Sequence, residues 1–101
     1  MRRLSYKKRN RTVRLLCPDP GKFSEAAQTL ADKYFETTFT ELSQGEFEVV
    51  APNYDVLLVR FSTKVSSIVM RSGSRIRYIL SPTTGLDHID LTSAASCGIS
   101  V

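Results

Sequence analysis

Arg60 stands at the end of the apolar run "YDVLLVRF" (54–61), and a later run, "RIRYILS" (75–81), leads into the small-residue turn "PTTG" (82–85). A guanidinium where a strand leaves the core either pairs with a local acid, Asp55 or Glu46 here, or awaits an anion, and its planar fork suits a carboxylate. Small residues after a strand can aim consecutive backbone N–H groups at one ligand oxygen. At neighbouring strand ends the two features describe a pocket mouth for a small carboxylate. Little else in the chain could do chemistry. His88, with Asp87 and Asp90 nearby, has a spacing that gives neither a nucleophile nor enough ligands for a metal, and it reads as a surface histidine in a turn. Cys17 and Cys97 are isolated thiols without Cys-x-x-Cys or Cys/His spacing, so neither a zinc site nor a redox motif is indicated. A reducing, cytoplasmic compartment is expected. No GxGxxG, GxxxxGK[ST] or GxSxG occurs, which removes the common phosphate cradles and the nucleophile elbow. No catalytic residue and no metal ligand is assigned.

The elements that must position Arg60 and the turn follow from periodicity. "TVRLLC" (12–17) is β-branched and apolar and stops at Pro18, which cannot continue a ladder. "PDPG" (18–21) is turn chemistry, and Ser24 can cap a helix over "EAAQTLADKYF" with Ala27, Leu30, Ala31 and Tyr34 or Phe35 on one face. "TTFTEL" (37–42) alternates as a half-buried strand, and "SQGEFEVVAPN" (43–53) reads as an irregular or weakly helical link broken at Pro52. "VLLV" (56–59) has no polar face for water, so the strand around it is central and buried on both sides. Thr63 can cap a short helix over "KVSSIVMRS" that ends at Gly73, and "RIRYILS" gives the fourth strand. Asp90 caps the helix "LTSAASC", Gly98 stops it, and "ISV" (99–101) is a fifth strand. Alternating units of this kind imply a parallel sheet covered by helices, with ligands at the carboxyl ends of its strands. The expected class is α/β, a flavodoxin-like three-layer domain with a five-stranded parallel sheet. A phosphoacceptor receiver domain shares that outline but needs a carboxylate where the third strand ends, and this one ends in Arg60.

The chain has 101 residues, 42% hydrophobic and 24% charged, which is ordinary globular composition and enough for one modest core. The central apolar run is bounded by Asp55 and Arg60, too short to span a membrane. Charge is uneven. Residues 1–14 hold seven of the 14 basic residues and no acid, leaving a body with seven bases against ten acids. The leader 1–11 is expected to be basic and disordered. Three readings of it stay open: an inert solvated arm, a polyanion contact to nucleic acid or anionic lipid, or an organelle-targeting segment, for which only Leu4 and Tyr6 supply an apolar face.

The stretch "YDVLLVRFSTKVSSIVM…RIRYILSPTTGLDHIDLTSAASCGISV" resembles the N-terminal substrate-binding (catalytic) domain of the D-isomer-specific 2-hydroxyacid dehydrogenases. That family shows a strand ending in Val-Arg-Ser followed by Thr-x-Val, then a strand into Gly-x-Gly-x-Asp-x-Ile-Asp, a short alanine-rich helix and Gly-Ile-x-Val. The likeness covers residues 54–101 well and 12–42 as a strand-helix-strand pattern. It implies that residues 12–101 are a substrate-binding domain, incomplete relative to the family and ending where an NAD(P)-binding domain would begin, with the family's catalytic Arg, Glu and His further on. His88 is then not the catalytic histidine. NAD or NADP would serve the complete enzyme, this chain alone would bind neither, and it would be inactive by itself. The substrate implied is a small 2-keto or 2-hydroxy carboxylate held by Arg60 and the backbone N–H groups of Thr84 and Gly85. Asp87 and Asp90 match positions that fix the turn and cap the helix. Phe61 stands where Ser is usual and Thr83 replaces the first glycine of Gly-x-Gly, which bears on how freely the loop backbone can approach a ligand. A domain built to pack against a second domain and a returning helix is expected to expose apolar area when alone, and to self-associate through it. A non-catalytic binding module with the basic arm as its contact is the other function class the sequence allows.

Overall fold

The computed structural model describes residues 12–22, 24–60, 62–71, 73–82 and 85–101. The basic leader 1–11, Phe61, Thr83 and Thr84 lie outside the described residues. Four strands make one parallel sheet: β1 (Arg14–Cys17), β2 (Glu36–Phe39), β3 (Val56–Leu58) and β4 (Tyr78–Leu80), in the order β2-β1-β3-β4. Four α-helices lie between and after them: α1 (Glu25–Asp32), α2 (Gln44–Val50), α3 (Ser67–Met70) and α4 (Leu91–Ser96). Short 3-10 turns occupy Pro20–Lys22 and Ala51–Asn53. The strand order reverses at β1/β3, which is the flavodoxin-like arrangement and places a crevice beyond the carboxyl ends of those two strands.

The sheet has four strands, where five were expected. Ser100 forms a single parallel bridge to Tyr78, with Ile79 N–H donating to Ser100 O at 2.8 Å and Ser100 N–H to Arg77 O at 2.9 Å. The reason lies in how α4 ends. Gly98 takes φ +72° and its N–H, the donor that would face β4 before Ser100, goes instead to Ala95 O, while Ile99 N–H turns back to Ala94 O at 2.9 Å to close the helix. Pairing therefore begins only at Ser100.

Period-2 alternation sends Leu16, Leu57, Val59 and Ile79 to one face of the sheet, where Phe47 of α2, Val69 and Met70 of α3 and Ala94 of α4 complete the main core. The opposite face carries a smaller cluster of Leu15, Cys17 and Val56 with Phe35, Phe39 and Leu58 against it. Among the described residues α1 packs on β2 and buries nothing; Leu30 and Tyr34, expected on its inner face, are exposed. Its Ser24 cap is as expected, with the side chain accepting from Ala27 N–H at 3.1 Å. On the same side of the sheet Leu80 and, beyond the strands, Leu86 and Val101 stay exposed around an apolar cleft of about 420 Å³.

One local reading is settled and one changes. Of the two readings of the link 43–53, irregular or weakly helical, the structure shows a capped helix, α2, started by a reciprocal capping box in which Ser43 Oγ accepts from Glu46 N–H and Glu46 returns a carboxylate oxygen to Ser43 N–H at 2.9 Å. That box also holds the Glu46 carboxyl below its ordinary range, chiefly through the Ser43 backbone. Thr63 does not cap a helix. It is buried, α3 starts at Ser67 with Ser66 as its cap, and Val65 is held extended by a parallel bridge to Ile89.

Candidate functional site

β3 and β4 run side by side in the register Val56–Tyr78, Leu57–Ile79 and Leu58–Leu80, and Val59 N–H donates to Leu80 O at 2.9 Å. The pairing therefore continues one residue past β3 to the buried Val59, and Arg60 and Ser81 leave the sheet as neighbours. Arg60 is half-buried and opens a tight turn in which its carbonyl accepts from Thr63 N–H at 3.0 Å. Its two alternative partners are engaged elsewhere. Asp55, at the opposite end of the sheet, accepts from Arg14 N–H at 2.9 Å and faces Arg75 at 3.6 Å, and Glu46 belongs to the capping box. Among the described residues no acid lies in ion-pair contact with Arg60.

At the end of β1, next to β3, Cys17 is fully buried, and that burial pushes its thiol up. A hydrogen bond from the Asp19 backbone and the charge of Arg60 pull it down, while the Asp19 carboxylate raises it. Cys17 is thus a buried core thiol whose proton is held more tightly than in water, against the pull of the Arg60 charge. Asp19 Oδ2 accepts from Ser62 Oγ at 2.6 Å, tying the end of β1 to the loop after Arg60. A polar cleft of about 160 Å³ opens there, lined by Pro18, Asp19, Glu41, Leu42, Gln44, Ser62 and Thr63. Gln44 pins the same loop as a strand neighbour would, with Oε1 accepting from Lys64 N–H at 3.0 Å and Nε2 donating to Lys64 O at 2.9 Å.

The second half of the site is the turn after β4. Gly85 is half-buried; Thr84, the other residue expected to offer its N–H, lies outside the described residues. Asp87 is exposed. Asp90 caps α4 as expected, with Oδ1 accepting from Ser93 N–H at 3.0 Å and Oδ2 from Ser93 Oγ at 2.8 Å, and these bonds hold its carboxyl low. His88 is not a surface residue. Only 3% of it is exposed, its Nε2 lies 3.2 Å from Ser81 Oγ, and its carbonyl accepts from Val65 N–H at 2.8 Å. Burial pushes the imidazole below its ordinary value, the Lys64 charge adds to that, and Asp87 opposes it.

Among the described residues no group of three or more His, Cys, Asp or Glu could hold a metal ion. A dinucleotide does not fit the first strand-to-helix turn. It reads Pro18-Asp19-Pro20-Gly21, where two prolines lack the N–H that a diphosphate would use and Asp19 puts a carboxylate at the strand end. No helix of the described residues is long and apolar enough to cross a membrane.

Residues 18–101 match the sequence family described as the D-isomer specific 2-hydroxyacid dehydrogenase, catalytic domain. The hydroxypyruvate reductase of Thermotoga maritima is 37% identical over 78 residues, a match that covers 76% of this chain and 26% of the relative. The chain thus spans about a quarter of that relative's length. Among solved structures, the PH0520 protein of Pyrococcus horikoshii superposes with a TM-score of 0.78 at 25% identity, over 91% of this chain and 28% of the other. The NAD+-bound 3-phosphoglycerate dehydrogenase of Entamoeba histolytica shares the fold, with a TM-score of 0.72 at 18% identity over 88% of this chain and 32% of the other. A sheet ordered β2-β1-β3-β4, an arginine where β3 ends and a capped, alanine-rich α4 accord with a family match over most of the sequence: this chain belongs to the D-isomer specific 2-hydroxyacid dehydrogenase family, as a catalytic-domain segment.

Proposed function

We propose that residues 12–101 are the part of a D-2-hydroxyacid dehydrogenase that holds the substrate carboxylate, with Arg60 and the backbone N–H groups of Thr84 and Gly85 as its contacts. The observation that supports this reading is the β3/β4 register, extended by the Val59 to Leu80 hydrogen bond, because Arg60 then leaves the sheet beside Ser81, four residues before Gly85. Arg60 supplies a fixed charge with a planar pair of donors, and the turn supplies neutral donors from a second direction. Together they orient a 2-keto or 2-hydroxy acid by its carboxylate and leave C2 directed away from the sheet.

The reaction class proposed for the complete enzyme is oxidoreduction at the CH–OH group of the acid with NAD or NADP, as the family and the NAD+-bound relative suggest. No nicotinamide site is proposed on this chain, so the isolated chain is expected to bind the acid without converting it. The exposed Leu80, Leu86 and Val101 support the same reading as a surface that further protein covers, and self-association through it is the expected behaviour of the chain alone.

The test is an amide-shift titration of the 101-residue chain with oxalate, a two-carbon dicarboxylate that mimics the planar acid. Shifts should concentrate at residues 85–87 and 60–63, with affinity no tighter than about millimolar for an open, solvated half-site. Arg60→Ala should weaken binding at least about ten-fold, the loss of one charge-assisted contact. Shifts spread elsewhere, or none at tens of millimolar oxalate, reject the site. A separate assay of NADH consumption with glyoxylate, hydroxypyruvate or pyruvate should show no rate above a boiled control.

A further inference from the structure

The loop after Arg60 and the turn after β4 are the two halves of the proposed carboxylate site, and each could move independently at its strand end. Among the described residues two contacts join them, and a third closes the turn on itself. Val65 N–H donates to His88 O at 2.8 Å, Asp90 N–H donates to Val65 O at 2.8 Å, and the imidazole Nε2 of His88 lies 3.2 Å from Ser81 Oγ. Both ends of the turn are thereby fixed: Ser81 where it leaves β4, and His88 where it meets the Arg60 loop. Leu86 closes the interval, its carbonyl accepting from Ile89 N–H at 3.0 Å.

The geometry points to His88 as a positioning residue, whose backbone meets the Arg60 loop and whose buried imidazole ties that loop to Ser81 at the end of β4. This inference rests on the substrate-carboxylate reading above. At 3% exposure His88 is packed on nearly all sides, which limits how far the Nε2 to Ser81 contact can drift. The chemistry suits the task. A neutral imidazole is both donor and acceptor, so it bonds a hydroxyl without bringing a charge into the core. Preorganised donors bind an anion better than mobile ones because the ordering cost is met on folding instead of on binding. His88 touches no substrate in this account, and its influence passes through the backbone of the turn.

The charges of Lys64, on the Arg60 loop, and Asp87, on the turn itself, act on the ring in opposite directions.

The experiment uses oxalate titration and amide hydrogen exchange on the 101-residue chain as wild type, Ser81→Ala, His88→Leu and His88→Gln. Ser81 sits at the strand end, half-buried, so Ser81→Ala keeps the core intact even where His88→Leu fails to fold. Ser81→Ala should weaken oxalate binding about three- to ten-fold and speed exchange of the Val65 and Asp90 amides while leaving protection in β1 and β3 unchanged. His88→Gln, which can place an amide near the Nε2 position, should restore most of the affinity lost in His88→Leu. A merely structural histidine would lower global protection and leave the affinity of the folded fraction unaltered. Unchanged Val65 and Asp90 exchange in Ser81→Ala overturns the inference, as does a glutamine variant no better than leucine. Failure of the wild type to bind oxalate refutes the carboxylate reading instead, and the exchange result still decides whether the clamp exists.

Discussion

Asp55→Ala should cost more stability than any other single polar substitution in the described residues, because this carboxylate joins three strands at their amino ends. Asp55 is 3% exposed; Oδ2 accepts from Arg14 N–H at the start of β1 at 2.9 Å, and Oδ1 faces Arg75 at 3.6 Å, just before β4. Its backbone extends the join, donating to Arg14 O and accepting from Arg77 N–H at 2.8 Å. The hydrogen bond to a charged acceptor contributes about 1.5–3 kcal/mol. The Arg75 pair adds no more than about 1 kcal/mol, discounted because the Arg75 side chain is 43% exposed and screened. The sum is about 2–4 kcal/mol, or a fall of roughly 10–20 °C in Tm for a domain of this size. Asp55→Asn keeps an acceptor for Arg14 and loses only the charge, so it should cost about half as much. Urea unfolding at 25 °C of the three chains measures both differences. A loss below about 0.5 kcal/mol in the alanine variant, the scale of an ordinary surface change, or an asparagine variant as damaged as alanine, would refute the division into a strong backbone bond and a weak ion pair.

Other outcomes are expected from the same contacts. The folded chain holds His88 with a lowered pKa, so the unfolded chain binds its proton more readily; the corresponding stability is present above the ordinary value of 6.5 and is lost as pH falls below it toward the folded value. Unfolding measured between pH 7.5 and 5 should show that slope in the wild type and not in His88→Gln. Ser43→Ala removes the capping box of α2 and should lower stability by about 1 kcal/mol with the oxalate affinity unchanged. Leu57→Ala, at a fully buried position in the central strand, should cost about 2–5 kcal/mol in the same urea assay. Deleting residues 1–11 should abolish any retention on a polyanion column, and retention by the full chain should fall steeply between about 50 and 200 mM salt; binding that survives either change excludes the leader as the contact.

The parallel α/β class and the pairing of β3 with β4, which brings Arg60 beside Ser81, were legible because apolar runs without a polar face, followed by Pro, Gly or a small-residue turn, leave few alternatives to a buried parallel strand. Helix α4 was legible through Asp90, Gly98 and the alanines between them. The α2 helix was legible only as a weakly helical alternative to an irregular link, although Ser43 and Glu46 carry its capping signature, since Gly45 and two valines weaken the intrinsic preference over a short span. Thr63 resembled a cap by residue type alone; a tertiary bridge between Val65 and Ile89 keeps that segment extended, and no local pattern encodes it. His88 was misplaced for a related reason. Its burial depends on the Arg60 loop crossing over it, and the fifth strand was shortened by the closing geometry of α4, which only the fold reveals.

The central claim is that this domain holds a carboxylate between Arg60 and the turn after β4, and a crystal structure of the 101-residue chain grown with saturating oxalate tests it most directly. One oxalate carboxylate should lie within about 3 Å of the Arg60 guanidinium and of a backbone N–H in residues 84–85, the range of charge-assisted hydrogen bonds. The competing anion surface is the open cleft lined by Arg75, Arg77, Cys97 and Gly98 at the far end of the sheet. Oxalate seated there, with Arg60 turned to solvent or paired to an acid, would contradict the account.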